Sequence, residues 1–281
     1  VSAGSHVSQE IATQPDDWLR AAALARPVAE PGRSVAVVGC GTSWFMAMAF
    51  AALREAAGHG RTDAFAASEF PAARDYDRVV AITRSGTTTE VLDLVAATPA
   101  LVVTANPDLG GETVLLDFAD ERSVVQTRFA TTALAYLRAG LGEDLTSAAA
   151  DARTALGADL GELPAAEQVS FLGRGWTVGL AHEAALKLRE AASAWTEAHP
   201  AMEYRHGPIS VAQPGRVTWM FGPAPDGLAA EVAATGATWV DSDLDPMAHL
   251  VLAQRLAVAT ARRRGLDPDR PRHLTRSIIL R

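Results

Sequence analysis

The sequence predicts a doubly wound α/β fold built as two parallel-sheet lobes. Three observations carry this. Short apolar runs rich in β-branched residues, stopped by glycine, alternate with longer segments of helical character. Two of these runs end in Gly-x-Gly and open directly into a helix. The two copies recur at nearly one spacing: Val37-Val-Gly-Cys-Gly41 precedes Phe171-Leu-Gly-Arg-Gly175 by 134 residues, and Arg54-Glu55 precedes Arg189-Glu190 by 135.

The elements follow in order. Ser8 to Leu24 has an amphipathic pattern, and Pro27 and Pro31-Gly32 end it. Ser34 to Gly39 is a continuous apolar run, as expected of a strand buried on both faces. Trp44 to Ala57 is helical, and Asp63 to Ala67 is a strand. Arg78 to Thr83 is a third strand, Thr87 to Ala96 a helix, and Ala100 to Ala105 a fourth strand. Thr113 to Leu116 is a short fifth strand, and helices run over Gln126 to Ala139 and Asp144 to Leu156. The pattern then restarts: a strand at Val169 to Gly173, a long Ala-rich helix to about Ala194, and a strand at Arg216 to Phe221. Pro225 to Ala234 is helical, Thr238 to Val240 a strand, and Pro246 to Arg264 a helix before a polar tail. Gly157, Gly161 and Pro164 cluster between the repeats, so the expected domains are 1–157 and 158–281, related by duplication. The bland alternative is that both strand-to-helix turns need glycine for backbone reasons alone; the shared offset favours duplication.

Composition narrows the function. The 281 residues are 48% hydrophobic and 21% charged, which excludes a largely disordered chain. Acidic residues outnumber basic ones 33 to 25, a net charge of −8, so a general nucleic-acid binder is disfavoured. Cys40 is the only cysteine, which excludes an intrachain disulfide and a thiolate zinc cluster. Val1 to Gln14 holds no apolar signal core, and no apolar run reaches the roughly 18 residues of a membrane span. The expectation is a soluble cytoplasmic protein without membrane or nucleic-acid partners. Lys187 is the only lysine, so amine chemistry must use Lys187 or the N-terminal amine.

Four segments could carry chemistry. Thr83-Arg84-Ser85-Gly86-Thr87-Thr88-Thr89-Glu90 follows a strand and opens a helix, where unpaired N–H groups and the helix dipole attract phosphate. Thr87 and Glu90 also fit a capping box that needs no ligand. Five hydroxyls in seven positions exceed what one cap requires. Gly39-Cys40-Gly41-Thr42-Ser43 is a second such turn, with Ser43 as the expected N-cap. On neighbouring parallel strands the two turns would share the carboxyl edge, where ligands bind. Glu183, Lys187 and Glu190 are spaced i, i+4, i+7 on one helical face. They are either an ordinary surface pair or a cleft-facing stripe with a general base tuned by burial. Finally, His206 precedes Gly207-Pro208 and so lies on a loop, where it is exposed or an acid–base group.

Taken together, these segments resemble the sugar isomerase (SIS) domain family. The likeness is greatest to the tandem-SIS isomerase half of glutamine:fructose-6-phosphate amidotransferase and covers nearly the whole chain. The most specific stretch runs from Leu172-Gly-Arg-Gly175 through Glu183, Lys187, Glu190 and Arg205-His206-Gly207-Pro208. Cys40-Gly-Thr-Ser43 and Ser85-Gly-Thr-Thr88 match the family's phosphate turns, and Gln14-Pro15 and Pro271-Arg272 also fit. The resemblance implies two flavodoxin-like lobes, a sugar-phosphate substrate, a homodimer, and no cofactor or metal. It implies that Ser43, Thr83, Ser85 and Thr88 bind the phosphate, with Thr42, Arg84, Gly86, Thr87, Gln126 and Arg276 around the ligand. Glu190 would move a proton between C1 and C2 through an enediol or enolamine. His206, from the neighbouring subunit, would assist ring opening, and Glu183 and Lys187 would support Glu190.

The departures refine this. No glutaminase segment precedes the domain, so the chain is expected to lack glutaminase activity. Arg276 stands where the amidotransferases carry an imine-forming lysine, and arginine stays protonated. Arg84 and Gln126 replace smaller or neutral family residues. The expectation is imine-free aldose–ketose isomerisation or amino-sugar-phosphate deamination rather than glucosamine-6-phosphate synthesis. The rivals are a non-catalytic sugar-phosphate sensor and a nicotinamide-dependent dehydrogenase. The dehydrogenase would use Glu69 as its ribose acid, but it lacks the third glycine of the fingerprint.

Overall fold

The computed structural model describes residues 4–280; Val1–Ala3, with the N-terminal amine, and Arg281 lie outside the described residues. The chain forms two compact units. One, here the N lobe, comprises Thr13–Glu121, Gln126–Thr146 and Thr275–Arg281; the other, the C lobe, comprises Val1–Ala12, Arg122–Val125 and Ser147–Leu274. The expected division at residue 157 follows chain order, whereas these units interleave. Helix α5 (Thr146–Gly157) belongs almost wholly to the C lobe because its groups are used there. The Asp151 carboxylate accepts from the Asp245 N–H at 2.8 Å, and the Ala155 carbonyl accepts from Arg255 at 2.7 Å.

Helix α1 spans Ser5–Leu24. Its N-lobe part buries Trp18, whose indole donates to Thr131 Oγ1 at 2.9 Å, while that hydroxyl donates to Gln14 at 2.6 Å. The N lobe then runs β1 (Val35–Gly39), α2 (Thr42–Ala56), β2 (Thr62–Ala66), β3 (Arg78–Thr83), α3 (Thr89–Ala97), β4 (Leu101–Thr104), β5 (Thr113–Leu115) and α4 (Arg128–Gly140). Its sheet is parallel, in the order β2-β1-β3-β4-β5. Every residue of β1 is buried, as the unbroken apolar run required, and the edge strands β2 and β5 are part-exposed. Ala36, Val38, Val79, Ala81, Val91 and Leu94 form one cluster of this lobe's core. Strand order reverses between β1 and β3, so the turns after these strands flank the sheet's switch point.

The C lobe runs β6 (Gln168–Gly173), α6 (Thr177–Ala192), β7 (Trp195–Pro200), β8 (Arg216–Met220), α7 (Leu228–Ala234), β9 (Thr238–Val240) and α8 (Pro246–Arg263). Its parallel sheet has the order β7-β6-β8-β9, again with the first strand inside. Strand β7 is not anticipated by sequence patterning. It is an edge strand of mixed burial and reads Trp-Thr-Glu-Ala-His-Pro, without the apolar run or the alternation that marks a strand. Helix α6 therefore stops sooner than expected: Ser193 adopts a left-handed conformation (φ 49°) and its N–H closes on the Arg189 carbonyl. Among the described residues no helix is long and apolar enough to cross a membrane.

Candidate functional site

The N-lobe turn after β3 carries its polar groups at the carboxyl edge of the sheet. Gly86 has φ 60°, and a Cβ there would lie 3.0 Å from Asn106 Nδ2, which donates to the Ser85 carbonyl at 2.9 Å. Glycine is thus demanded by both backbone and space. Thr83 Oγ1 accepts from the Gly86 N–H at 3.3 Å, and Ser85 Oγ accepts from the Thr87 N–H at 3.2 Å. The N-cap of α3 is Thr88, one residue later than a capping box on Thr87 requires, and its hydroxyl makes no capping bond. The hydroxyl-rich stretch is therefore not explained by a capping box.

The turn after β1 is tighter. The N-cap of α2 is Gly41, not Ser43, and Thr42 and Ser43 are buried in the first helical turn. A Cβ on Gly39 would stand 2.7 Å from the Ser43 carbonyl carbon. That close approach is why this strand ends in glycine.

Arg84, Gln126 and Arg276 also belong to the N lobe. The Arg84 guanidinium is buried, 3.6 Å from the Glu121 carboxylate, and donates to the Arg276 carbonyl at 2.9 Å. Arg276 in turn pairs with Asp120 and donates to the Glu121 carbonyl. Both guanidinium groups are thus committed to protein partners. The Gln126 amide nitrogen is buried with no hydrogen-bond partner among the described residues.

In the C lobe, α6 brings the acidic pair and the single lysine together as the spacing predicted, in the interior rather than at the surface. Lys187 and Glu183 are fully buried. Lys187 Nζ lies 2.5 Å from Glu190 Oε2 and 3.6 Å from Glu183 Oε1. One ammonium thus compensates two carboxylates. The Glu190 side chain keeps 19% exposure. It opens on a cavity of about 380 Å³ lined also by Leu186, Arg189, Ser193, Arg272, His273 and Leu274. Arg272 and His273 were not singled out as site residues; only the Pro271-Arg272 match hinted at them. His206 ends a 3-10 turn (Glu203–His206) and is exposed. It does not line that cavity. Its neighbour Arg205 is held by Glu231 at 2.7 and 2.8 Å. Among the described residues no group of three or more His, Cys, Asp or Glu side chains could hold a metal ion.

The fold is that of the SIS phosphosugar isomerases. The solved structure of a glucosamine-6-phosphate deaminase from Thermotoga maritima superposes with a TM-score of 0.82 at 23% identity, covering 98% of this chain and 100% of that one. Tagatose-6-phosphate ketose/aldose isomerase from Escherichia coli gives 0.74 at 17% identity, over 96% and 98%. More particularly, the chain is homologous to the isomerase (SIS) part of glutamine–fructose-6-phosphate aminotransferase. The enzyme of Neisseria meningitidis serogroup B is 26% identical over 91% of this chain and 53% of its own length. That of Sulfolobus acidocaldarius is 28% identical over 88% and 50%. The C-terminal domain of the Francisella tularensis aminotransferase superposes at a TM-score of 0.81 and 22% identity, over 95% and 98%. The chain spans about half the length, or less, of the curated relatives it matches. No family model matches it.

Proposed function

We propose that this chain is a phosphosugar isomerase, of aldose–ketose or amino-sugar-phosphate deaminase type, which moves a proton between C1 and C2 of a sugar phosphate. The observation that carries the reading is the buried lysine shared by two carboxylates, one of which opens on a cavity. A C1–C2 transfer needs a carboxylate that takes a carbon-bound proton and returns it to the adjacent carbon. Glu190 is that base. Lys187 balances its charge, and Glu183 keeps Lys187 compensated while Glu190 holds the proton. Abstraction at C2 of the open-chain aldose, with a proton taken up at O1, gives an enediol; return of the carbon-bound proton to C1, with loss of the O2 proton, gives the ketose. An amino group at C2 gives an enolamine and then a C2 imine by the same steps, and water hydrolyses the imine to the ketose and ammonia.

In this reading Ser43, Thr83, Ser85 and Thr88, with Thr42, Gly86 and Thr87 beside them, hold the phosphate. The Thr88 hydroxyl, which makes no capping bond at the start of α3, supports that assignment. Gln126, with its buried amide nitrogen, contacts the sugar. Arg276 forms no imine. The exposed His206 serves the neighbouring subunit of a homodimer in ring opening. The two sheets descend from one duplicated unit, which their common strand order supports.

The test is exchange of the C2 proton with solvent deuterium across a panel of hexose and hexosamine phosphates. Wild-type protein is expected to exchange with one of them, and Glu190→Gln is expected to abolish it. Undiminished exchange in that variant removes Glu190 as the base.

A further inference from the structure

The turn assigned to phosphate is tied to a buried charged network and to the segment after Arg276. The Glu121 carboxylate is fully buried and accepts from the N–H groups of Thr127 (2.6 Å), Arg128 (2.9 Å) and Phe129 (3.3 Å) and from the Thr127 hydroxyl (2.9 Å). It is thereby locked onto the start of α4. Its second role is Arg84, 3.6 Å away. Arg84 reaches on to the Arg276 carbonyl, and Arg276 closes the ring on Asp120 and the Glu121 carbonyl. The segment after Arg276 then runs along the turn. Thr87 donates to the Ser277 hydroxyl at 3.0 Å, the Ile278 carbonyl accepts from the Thr89 N–H at 3.1 Å, and the Leu280 N–H donates to Thr89 Oγ1 at 2.9 Å. An outside segment thus secures the first residue of α3, where no side chain caps the helix.

We propose that Arg84 and Glu121 are positioning residues. With residues 276–280 as a strap, they set the conformation of the phosphate turn, and so its affinity, without touching the ligand. Donors fixed before the ligand arrives bind it without a reorganisation cost. The proposal rests on the reading of this turn as the phosphate site.

The test is titration of inorganic phosphate into the wild-type protein and into Thr88→Ala, Glu121→Gln, Arg84→Gln, the Glu121→Gln/Arg84→Gln double variant, and Thr89→Val. Because the Arg84–Glu121 link is buried and charge-assisted, each single loss is expected to weaken binding about tenfold, and the double variant no more than that. Thr89→Val cuts only the strap's last bond and is expected to weaken binding about threefold. If Arg84 instead bound phosphate directly, Glu121→Gln would release it, and binding would hold or tighten; that result overturns the proposal. Should Glu121→Gln fail to fold, Thr89→Val decides, because a direct Arg84 contact would not respond to it and unchanged binding refutes the strap. A wild-type protein that ignores phosphate, or a Thr88→Ala variant that binds as wild type does, overturns the phosphate turn itself.

Discussion

His249 makes stability fall as pH drops through a window that the structure defines. It lies on α8 with 1% exposure, stacked on Trp219 at a ring-centroid distance of 4.7 Å and edge-on to Phe221 at 5.3 Å. Burial in this aromatic pocket pushes the imidazole down from 6.5 to about 4, against partial opposition from Asp241. The unfolded chain therefore binds a proton near pH 6.5 that the folded chain takes up only near pH 4. Stability is unaffected above pH 6.5, falls between 6.5 and 4, and loses no more below that. The full gap corresponds to roughly 3 kcal/mol, of which roughly 2 kcal/mol is lost between pH 7.5 and 5.0. Carboxylates titrate in the same range, so the informative quantity is the difference from His249→Phe, which keeps a ring in the pocket but no proton. Urea unfolding of both proteins at pH 7.5 and 5.0 measures it. The wild type is expected to lose roughly 2 kcal/mol more than the variant. Parallel losses, within about 0.5 kcal/mol, would refute the claim that the imidazole is held neutral.

Four further outcomes are expected. Lys187→Met removes the charge that compensates buried Glu183, so urea unfolding is expected to show a loss of about 3–5 kcal/mol, with partial recovery in the Lys187→Met/Glu183→Gln double variant. A Cβ on Gly173 would meet the Thr177 carbonyl oxygen at 2.3 Å, so Gly173→Ala is expected to cost at least about 2 kcal/mol. Gly157, at the end of α5, has nothing within 4 Å of that position, and Gly157→Ala is expected to stabilise by about 0.5–1 kcal/mol; thermal melts compare the two glycine variants. Arg54→Met removes the bonds that the buried guanidinium gives to the Glu30, Arg33 and Gly60 carbonyls and to Thr62 Oγ1, and a loss of about 2–4 kcal/mol by urea unfolding is expected.

The central strands were legible because a strand covered on both faces is mostly apolar: β1 is so throughout, and β3, β6 and β8 are so apart from one or two polar residues each. β7 was not, because an edge strand can be polar; its Glu197 and His199 are part-exposed and face each other at 3.3 Å. The Glu183, Lys187 and Glu190 stripe was visible from helical spacing. That it is buried depends on what packs over α6, which spacing does not encode. The direction of Arg84 was invisible for a similar reason. A guanidinium beside a hydroxyl-rich turn suggests an anion, and only the fold brings Glu121, 37 positions along, to meet it. Gly41 displaced Ser43 as N-cap because the tight exit from β1 needs a backbone with φ 53°.

The two Arg-Glu pairs that end α2 and α6 have gone different ways. Each arginine braces the strand that follows: Arg54 donates to Thr62 Oγ1 at 2.8 Å, and Arg189 to Thr196 Oγ1 at 3.2 Å. The glutamates diverge. Glu55 spends an oxygen on the Thr62 N–H at 2.8 Å, whereas Glu190 turns to a lysine three residues back. At the position of Lys187, α2 has the apolar run Phe50-Ala-Ala-Leu53. One nearby ammonium thus separates the two carboxylates: Glu55 is fixed to the backbone of the next strand, and Glu190 is paired with Lys187 and keeps part of its surface open.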